Sequence, residues 1–110
     1  MCGIFGVYGQ YQFDYCKKNI NRILSTLNNR GPDKNDIFID NDLSLLFGHT
    51  RLSILELSNY GSQPMISKSG NLIISYNGEI YNHEELREDL IYKNLKYEGN
   101  SDTRSLIEHI

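Results

Sequence analysis

Cys2 directly follows the initiator in the run Met1-Cys2-Gly3-Ile4-Phe5-Gly6. Removal of Met1 would leave a terminal cysteine that carries a thiol and a free α-amine on one residue. Such a residue is a nucleophile and a base together. An α-amine titrates near about pH 8, so part of it is unprotonated at neutral pH and can take the thiol's proton. The plainer alternative is a small hydrophobe at the start of a buried strand.

Four more segments carry residue types suited to the same chemistry: Arg30-Gly31-Pro32-Asp33, then Gly48-His49-Thr50-Arg51-Leu52-Ser53-Ile54, then Tyr76-Asn77-Gly78-Glu79-Ile80-Tyr81-Asn82, and Ser101-Asp102-Thr103. Each has an ordinary structural reading when taken singly. Asn77-Gly78 after an apolar run signals a hairpin turn. Arg51 could end a strand with its head in solvent, Asp102 could cap a helix, and Arg30 to Asp33 could simply stop one.

In this order and spacing the segments resemble the N-terminal glutaminase domain of class-II glutamine amidotransferases, the N-terminal-nucleophile group, and within it the asparagine synthetase branch. The resemblance implies roles that make chemical sense. Cys2 would attack the side-chain carboxamide of L-glutamine, with its own α-amine as base. The Asn77 side-chain amide and the Gly78 N–H would receive the oxyanion, and loss of one such donor typically costs about a hundred- to a thousandfold in rate. Arg51 would grip the substrate α-carboxylate with its planar fork. Glu79 and Asp102 would hold the α-ammonium, and the backbones of Leu52 and Ile54 would also touch the amino acid.

The resemblance further implies an α+β fold, the αββα sandwich of antiparallel sheets with flanking helices, of which this chain supplies the first portion only. Residues 1–110 would be a partial glutamine amidotransferase domain, truncated at its C-terminal end, since the last helical pattern runs to Ile110 with no glycine or polar tail. ATP and magnesium are expected only in a C-terminal synthetase domain, which would amidate aspartate; no cofactor and no metal is expected within this chain. The full-length protein could form a homodimer. The competing expectation is a catalytically silent interaction or regulatory module that keeps the fold.

The elements that must position these groups can be read from periodicity. Cys2 to Tyr8 reads as a short buried strand. Tyr15 to Asn28 reads as an amphipathic helix with Asp14 as N-cap and Cys16, Ile20, Ile23, Leu24 and Leu27 on one stripe. Ile37 to Ile39 and Leu43 to Phe47 form a hairpin through Asp40-Asn41-Asp42, with Arg51 to Leu55 continuing or following the second strand. Ser58 to Pro64 reads as a polar surface loop. Ile66 and Leu72 to Tyr76 make a second hairpin about Lys68-Ser69-Gly70-Asn71. Asn82 and Glu85 suggest a capping box for a helix with Leu86, Leu90 and Ile91 inward. Lys96-Tyr97-Glu98 reads as a short strand, and a last helix starts at Ser101 or Asp102.

Composition narrows the partners. With 110 residues, 39% hydrophobic and 23% charged, the chain is one soluble-type domain at most. A net charge of −3 without a basic stripe argues against nucleic acid or an anionic membrane as partner. No segment is long and apolar enough to cross a bilayer, and the start lacks the pattern of a secretory signal. Two cysteines and three scattered histidines support neither a disulfide framework nor a metal site. A reducing, cytoplasmic setting is the expectation.

Overall fold

Apolar alternation at the start of the chain builds the first sheet. The computed structural model describes residues 1–53 and 56–110. Strand β1 (Gly3–Tyr8) leads into helix α1 (Gln10–Ser25), followed by β2 (Lys34–Asp40) and β3 (Leu45–Arg51). The three strands form an antiparallel sheet in the order β1-β3-β2, so β3 is central. A short hairpin, β4 (Met65–Ile66) with β5 (Ile73–Ile74), makes a second antiparallel sheet. Helices α2 (His83–Tyr92) and α3 (Asp102–His109) close the described chain. The result is a mixed α/β arrangement of antiparallel sheets with flanking helices.

The two faces of β3 have different tasks because side chains alternate along a strand. Leu46, Gly48 and Thr50 face α1, where Phe13, Ile20, Leu24 and Leu46 form the core and Phe5, Val7, Leu27 and Ile39 pack around it. Burying each large apolar side chain contributes about 1.5–3 kcal/mol. Gly48 is part of this packing, since a Cβ there would stand 2.7 Å from Leu24. The opposite face carries Phe47, His49 and Arg51, and His49 reaches the carbonyl of Tyr76 just beyond β5. Helix α3 is tied to the small sheet by the Arg104 guanidinium, which donates to the Ile66 carbonyl at 2.7 Å. In the same region, the Glu108 carboxylate accepts the Lys68 N–H at 2.9 Å.

Several local expectations need correction. Helix α1 begins at Gln10, and Asp14 lies exposed inside it, not at its cap. Gly9, at φ 94°, turns the chain sharply out of β1, and Phe13 joins Cys16, Ile20 and Leu24 as a fourth buried position on the stripe. Asn82 precedes α2 without a side-chain capping bond, so the capping box does not form, and Ile91 is exposed while Leu90 is buried. Lys96 to Glu98 is not a strand. Tyr97 is held by side chains instead: its hydroxyl bonds Ser105 Oγ and the Arg87 guanidinium lies over its ring. The segment from Ser58 to Pro64 is not wholly a surface loop, because Gly61 and Gln63 are buried. The reading of Arg51 to Leu55 holds to Arg51, the last residue of β3; Ile54 and Leu55 lie outside the described residues.

Candidate active site

Strand β1 is pinned where it begins. Thr50 Oγ1 accepts the Gly3 N–H at 3.1 Å and donates to the Leu27 carbonyl at 3.1 Å, joining strand start to helix end. Gly3 is required at this crossing, because a Cβ would stand 2.5 Å from Thr50 Oγ1 and 2.9 Å from Leu27. The preceding residue, Cys2, is therefore fixed over the end of β3. Its thiol lies against the main chain of Leu52, accepting the N–H at 3.4 Å and facing the carbonyl at 3.7 Å.

The Arg30-Gly31-Pro32-Asp33 segment braces this corner from outside. Arg30 Nε donates to the Cys2 carbonyl at 3.2 Å. Asp33 N–H donates to the Arg51 carbonyl at 2.9 Å, and its carboxylate accepts the Ser53 N–H at 2.7 Å. Gly31 is buried flat against Thr50 and Arg51, an approach that only a residue without a Cβ permits.

Arg51 is 7% exposed, so its charge is not that of a solvated strand end. The guanidinium donates to the carbonyls of Ser58, at 2.8 Å, and Glu56. Two of its five donors are thereby used, and among the described residues the rest have no partner and can take an anion. Gly61 lies against the guanidinium, where a Cβ would come within 2.5 Å of Nη2. The loop that receives Arg51 is itself anchored by Glu56. That carboxylate accepts the Asn100 N–H at 2.6 Å and the Ser58 N–H at 2.9 Å, and these bonds hold its pKa down to about 2.

Cys2, Arg51, Leu52, Asn77, Gly78, Glu79 and Asp102 all line one cavity of about 380 Å³. They come from four separate parts of the chain: the N-terminus, the end of β3, the segment after β5, and the start of α3, with the loop at Glu56 and Gly61 closing one side. Of the residues singled out from sequence, only Ile54 lies outside the described part. The cavity couples one guanidinium to the carboxylates of Glu56, Glu79 and Asp102, a charge pattern suited to a zwitterion. Asp102 is nearly buried; Oδ2 accepts the Ile80 N–H at 2.9 Å and Oδ1 accepts the Thr103 N–H at 2.7 Å. Its Oδ1 also faces the Thr103 hydroxyl at 3.4 Å, which leaves about one of the carboxylate's four lone-pair directions for a ligand.

Sequence reasoning passed over His49, Gln63 and Tyr76, which also line the cavity. His49 is 1% exposed, with Nε2 3.4 Å from the Tyr76 carbonyl and Nδ1 without a hydrogen-bond partner among the described residues. Burial pushes its pKa below the ordinary imidazole value, outweighing the lift from the Tyr76 carbonyl; Arg51 adds to the depression and Asp36 opposes it. Its signal was present in the string Gly48-His49-Thr50-Arg51, where the residue two positions from Arg51 must share its face. Tyr76 packs over Gly78, where a Cβ would meet the Tyr76 hydroxyl at 2.4 Å. No helix of the described residues is long and apolar enough to cross a membrane.

A thiol beside a main-chain corner, one buried guanidinium and facing carboxylates thus share a single pocket. Residues 1–110 match the family model of the glutamine amidotransferase domain, so the chain belongs to that family. It is 38% identical over 110 residues to the Bacillus subtilis protein named asparagine synthetase [glutamine-hydrolyzing] 3, with 97% of this chain and 17% of that protein covered. It is 35% identical over 111 residues to asparagine synthetase [glutamine-hydrolyzing] 1 of Arabidopsis thaliana, with 100% of this chain and 18% of that protein covered. The chain thus spans less than a fifth of the length of these relatives.

Proposed function

We propose that this domain hydrolyses the side-chain amide of L-glutamine, with Cys2 as nucleophile after loss of Met1, and supplies ammonia to a C-terminal synthetase domain that amidates aspartate. The observation that carries the reading is the shared cavity, in which a thiol, a buried guanidinium, an Asn-Gly corner and the carboxylates of Glu79 and Asp102 converge from distant parts of the chain, with Glu56 anchoring the loop beside Arg51. Arg51 binds the α-carboxylate with the donors its carbonyl partners leave free, and Asp102 with Glu79 binds the α-ammonium. Two opposite charges at fixed separation select a free amino acid over a simple amide.

The liberated α-amine of Cys2 takes the thiol proton, and the sulfur attacks the carboxamide carbon. The C=O π bond opens to an oxyanion held by the Asn77 side chain and the Gly78 N–H. The proton passes to the leaving nitrogen, the C–N bond breaks, and ammonia departs. Water then attacks the thioester, returning the thiol and releasing glutamate. While Met1 remains attached, the Cys2 nitrogen is an amide with no basic lone pair, and this sequence cannot start.

The fold that this reading assigns is the N-terminal-nucleophile αββα sandwich. Supporting it, α1 lies on one face of the three-stranded sheet, while the other face reaches the second sheet through His49 and Tyr76, with α3 tied to that second sheet. In this scheme ATP and magnesium belong to the synthetase domain. The family match and the relatives' names speak for the enzyme over a silent module. Labelling with a glutamine-analogue electrophile, followed by peptide mass mapping, tests the reading: Cys2 is modified and the buried Cys16 is not. Equal labelling of both, or none, would overturn it.

A further inference from the structure

We infer that Gln63 is a positioning residue for the oxyanion corner; the inference rests on the glutaminase reading above. The corner, Asn77-Gly78-Glu79, spans the gap between β5 and α2, and among the described residues its three members make no hydrogen bonds of their own. Its geometry depends on what holds the flanking residues. At one end the Tyr76 N–H donates to Gln63 Oε1 at 2.6 Å, and at the other the Ile80 N–H donates to Asp102 Oδ2 at 2.9 Å.

Gln63 is 7% exposed and its amide is itself oriented. Nε2 donates to Thr103 Oγ1 at 3.1 Å, and that hydroxyl faces Asp102 Oδ1. Only the rotamer with oxygen toward Tyr76 and nitrogen toward Thr103 satisfies both partners, because a main-chain N–H needs an acceptor. The chain Tyr76–Gln63–Thr103–Asp102–Ile80 therefore closes a loop of hydrogen bonds around the corner. Asp102 keeps its own anchors, the N–H groups of Ile80 and Thr103, so loss of Gln63 loosens the Tyr76 end selectively, leaving it only the longer 3.4 Å contact of its carbonyl with His49 Nε2. The oxyanion donors would shift, and the ammonium site would stay.

A structural filler would give a different pattern, so the test compares two ligands. The aldehyde analogue of glutamine adds the Cys2 thiol across its C=O, forming a C–S bond and placing the former carbonyl oxygen at the oxyanion corner. L-Glutamate uses only the α-carboxylate and α-ammonium sites. Measured in the full-length protein with Met1 removed, Gln63→Met should weaken the aldehyde by about a hundredfold and L-glutamate by less than about threefold, since a displacement near 1 Å costs about that much at a reacting centre. Thr103→Val, which removes the acceptor that orients the Gln63 amide, should give the same pattern at smaller amplitude and decides the matter if Gln63→Met does not fold. Parallel weakening of both ligands, or unchanged aldehyde affinity, would overturn the role of Gln63. A wild-type protein that does not bind the aldehyde would instead overturn the glutaminase reading on which it rests.

Discussion

Replacing Gly31 with alanine tests whether the Arg-Gly-Pro-Asp segment positions the site or merely ends a helix. The new Cβ would stand 2.2 Å from the Thr50 carbonyl oxygen and 2.6 Å from the Arg51 nitrogen. Both are main-chain atoms of β3, so no rotamer change relieves the clash. Ordinary contact begins at 3.4 Å, and loop and strand must part by about 1.2 Å to restore it. Overpacking of this kind costs about 1–3 kcal/mol of stability. The loop also holds the Arg51 carbonyl and the Ser53 N–H through Asp33, so the displacement passes to Arg51. A misplacement near 1 Å can cost about a hundredfold in rate. The expected result is a lower urea midpoint with an unchanged m-value, and kcat/KM for glutamine reduced by about a hundredfold, mostly through KM. A variant with wild-type midpoint and kcat/KM would refute the reasoning.

Two other substitutions probe the site's charges. Asp102→Asn leaves an acceptor for the Ile80 N–H but removes the charge facing the ammonium, and should raise KM for glutamine by about tenfold to a hundredfold, as expected for a charged hydrogen bond; initial-rate kinetics showing no rise in KM would count against the assignment. His49 is depressed in the folded state by burial, so the unfolded chain binds its proton more readily. Its contribution to stability is therefore present above about pH 6.5 and is lost as pH falls through that value. His49→Gln should flatten the fall of the urea midpoint between about pH 7.5 and 5.5, and an unchanged slope would exclude His49 as its source.

Much of the site was legible because its chemistry sits in short strings. Cys2, Arg51, Asn77-Gly78 and Asp102 are residue types whose reactivity is local, and all of them line the cavity. Gln63 was hidden for the opposite reason. Its own neighbours, Ser62 and Pro64, make the segment read as a polar loop, and its burial is decided by Tyr76 and Thr103, which are distant in sequence. The start of α1 was misplaced because Asp14 is a good cap by type, whereas the sharp turn at Gly9 and the burial of Phe13 set the helix boundary. Tyr97 shows the same limit: an aromatic between charged residues suggests a strand, but among the described residues no strand pairs with it, and side chains fix it instead. The first sheet was read in outline, with strands standing where the apolar runs put them. Strand β2 spans Lys34–Asp40 where only Ile37 to Ile39 were read, and β3 runs from Leu45 to Arg51 where Leu43 to Phe47 were read, because burial against α1 and the second sheet extends it.

The most direct test of the central claim compares the protein with Met1 removed and the same protein with Met1 retained, each verified by intact mass. Glutamate release from L-glutamine is measured in both. The account predicts turnover only in the form that begins at Cys2, because only there does the thiol have a free amine beside it. Equal turnover in the form that keeps Met1 would contradict it.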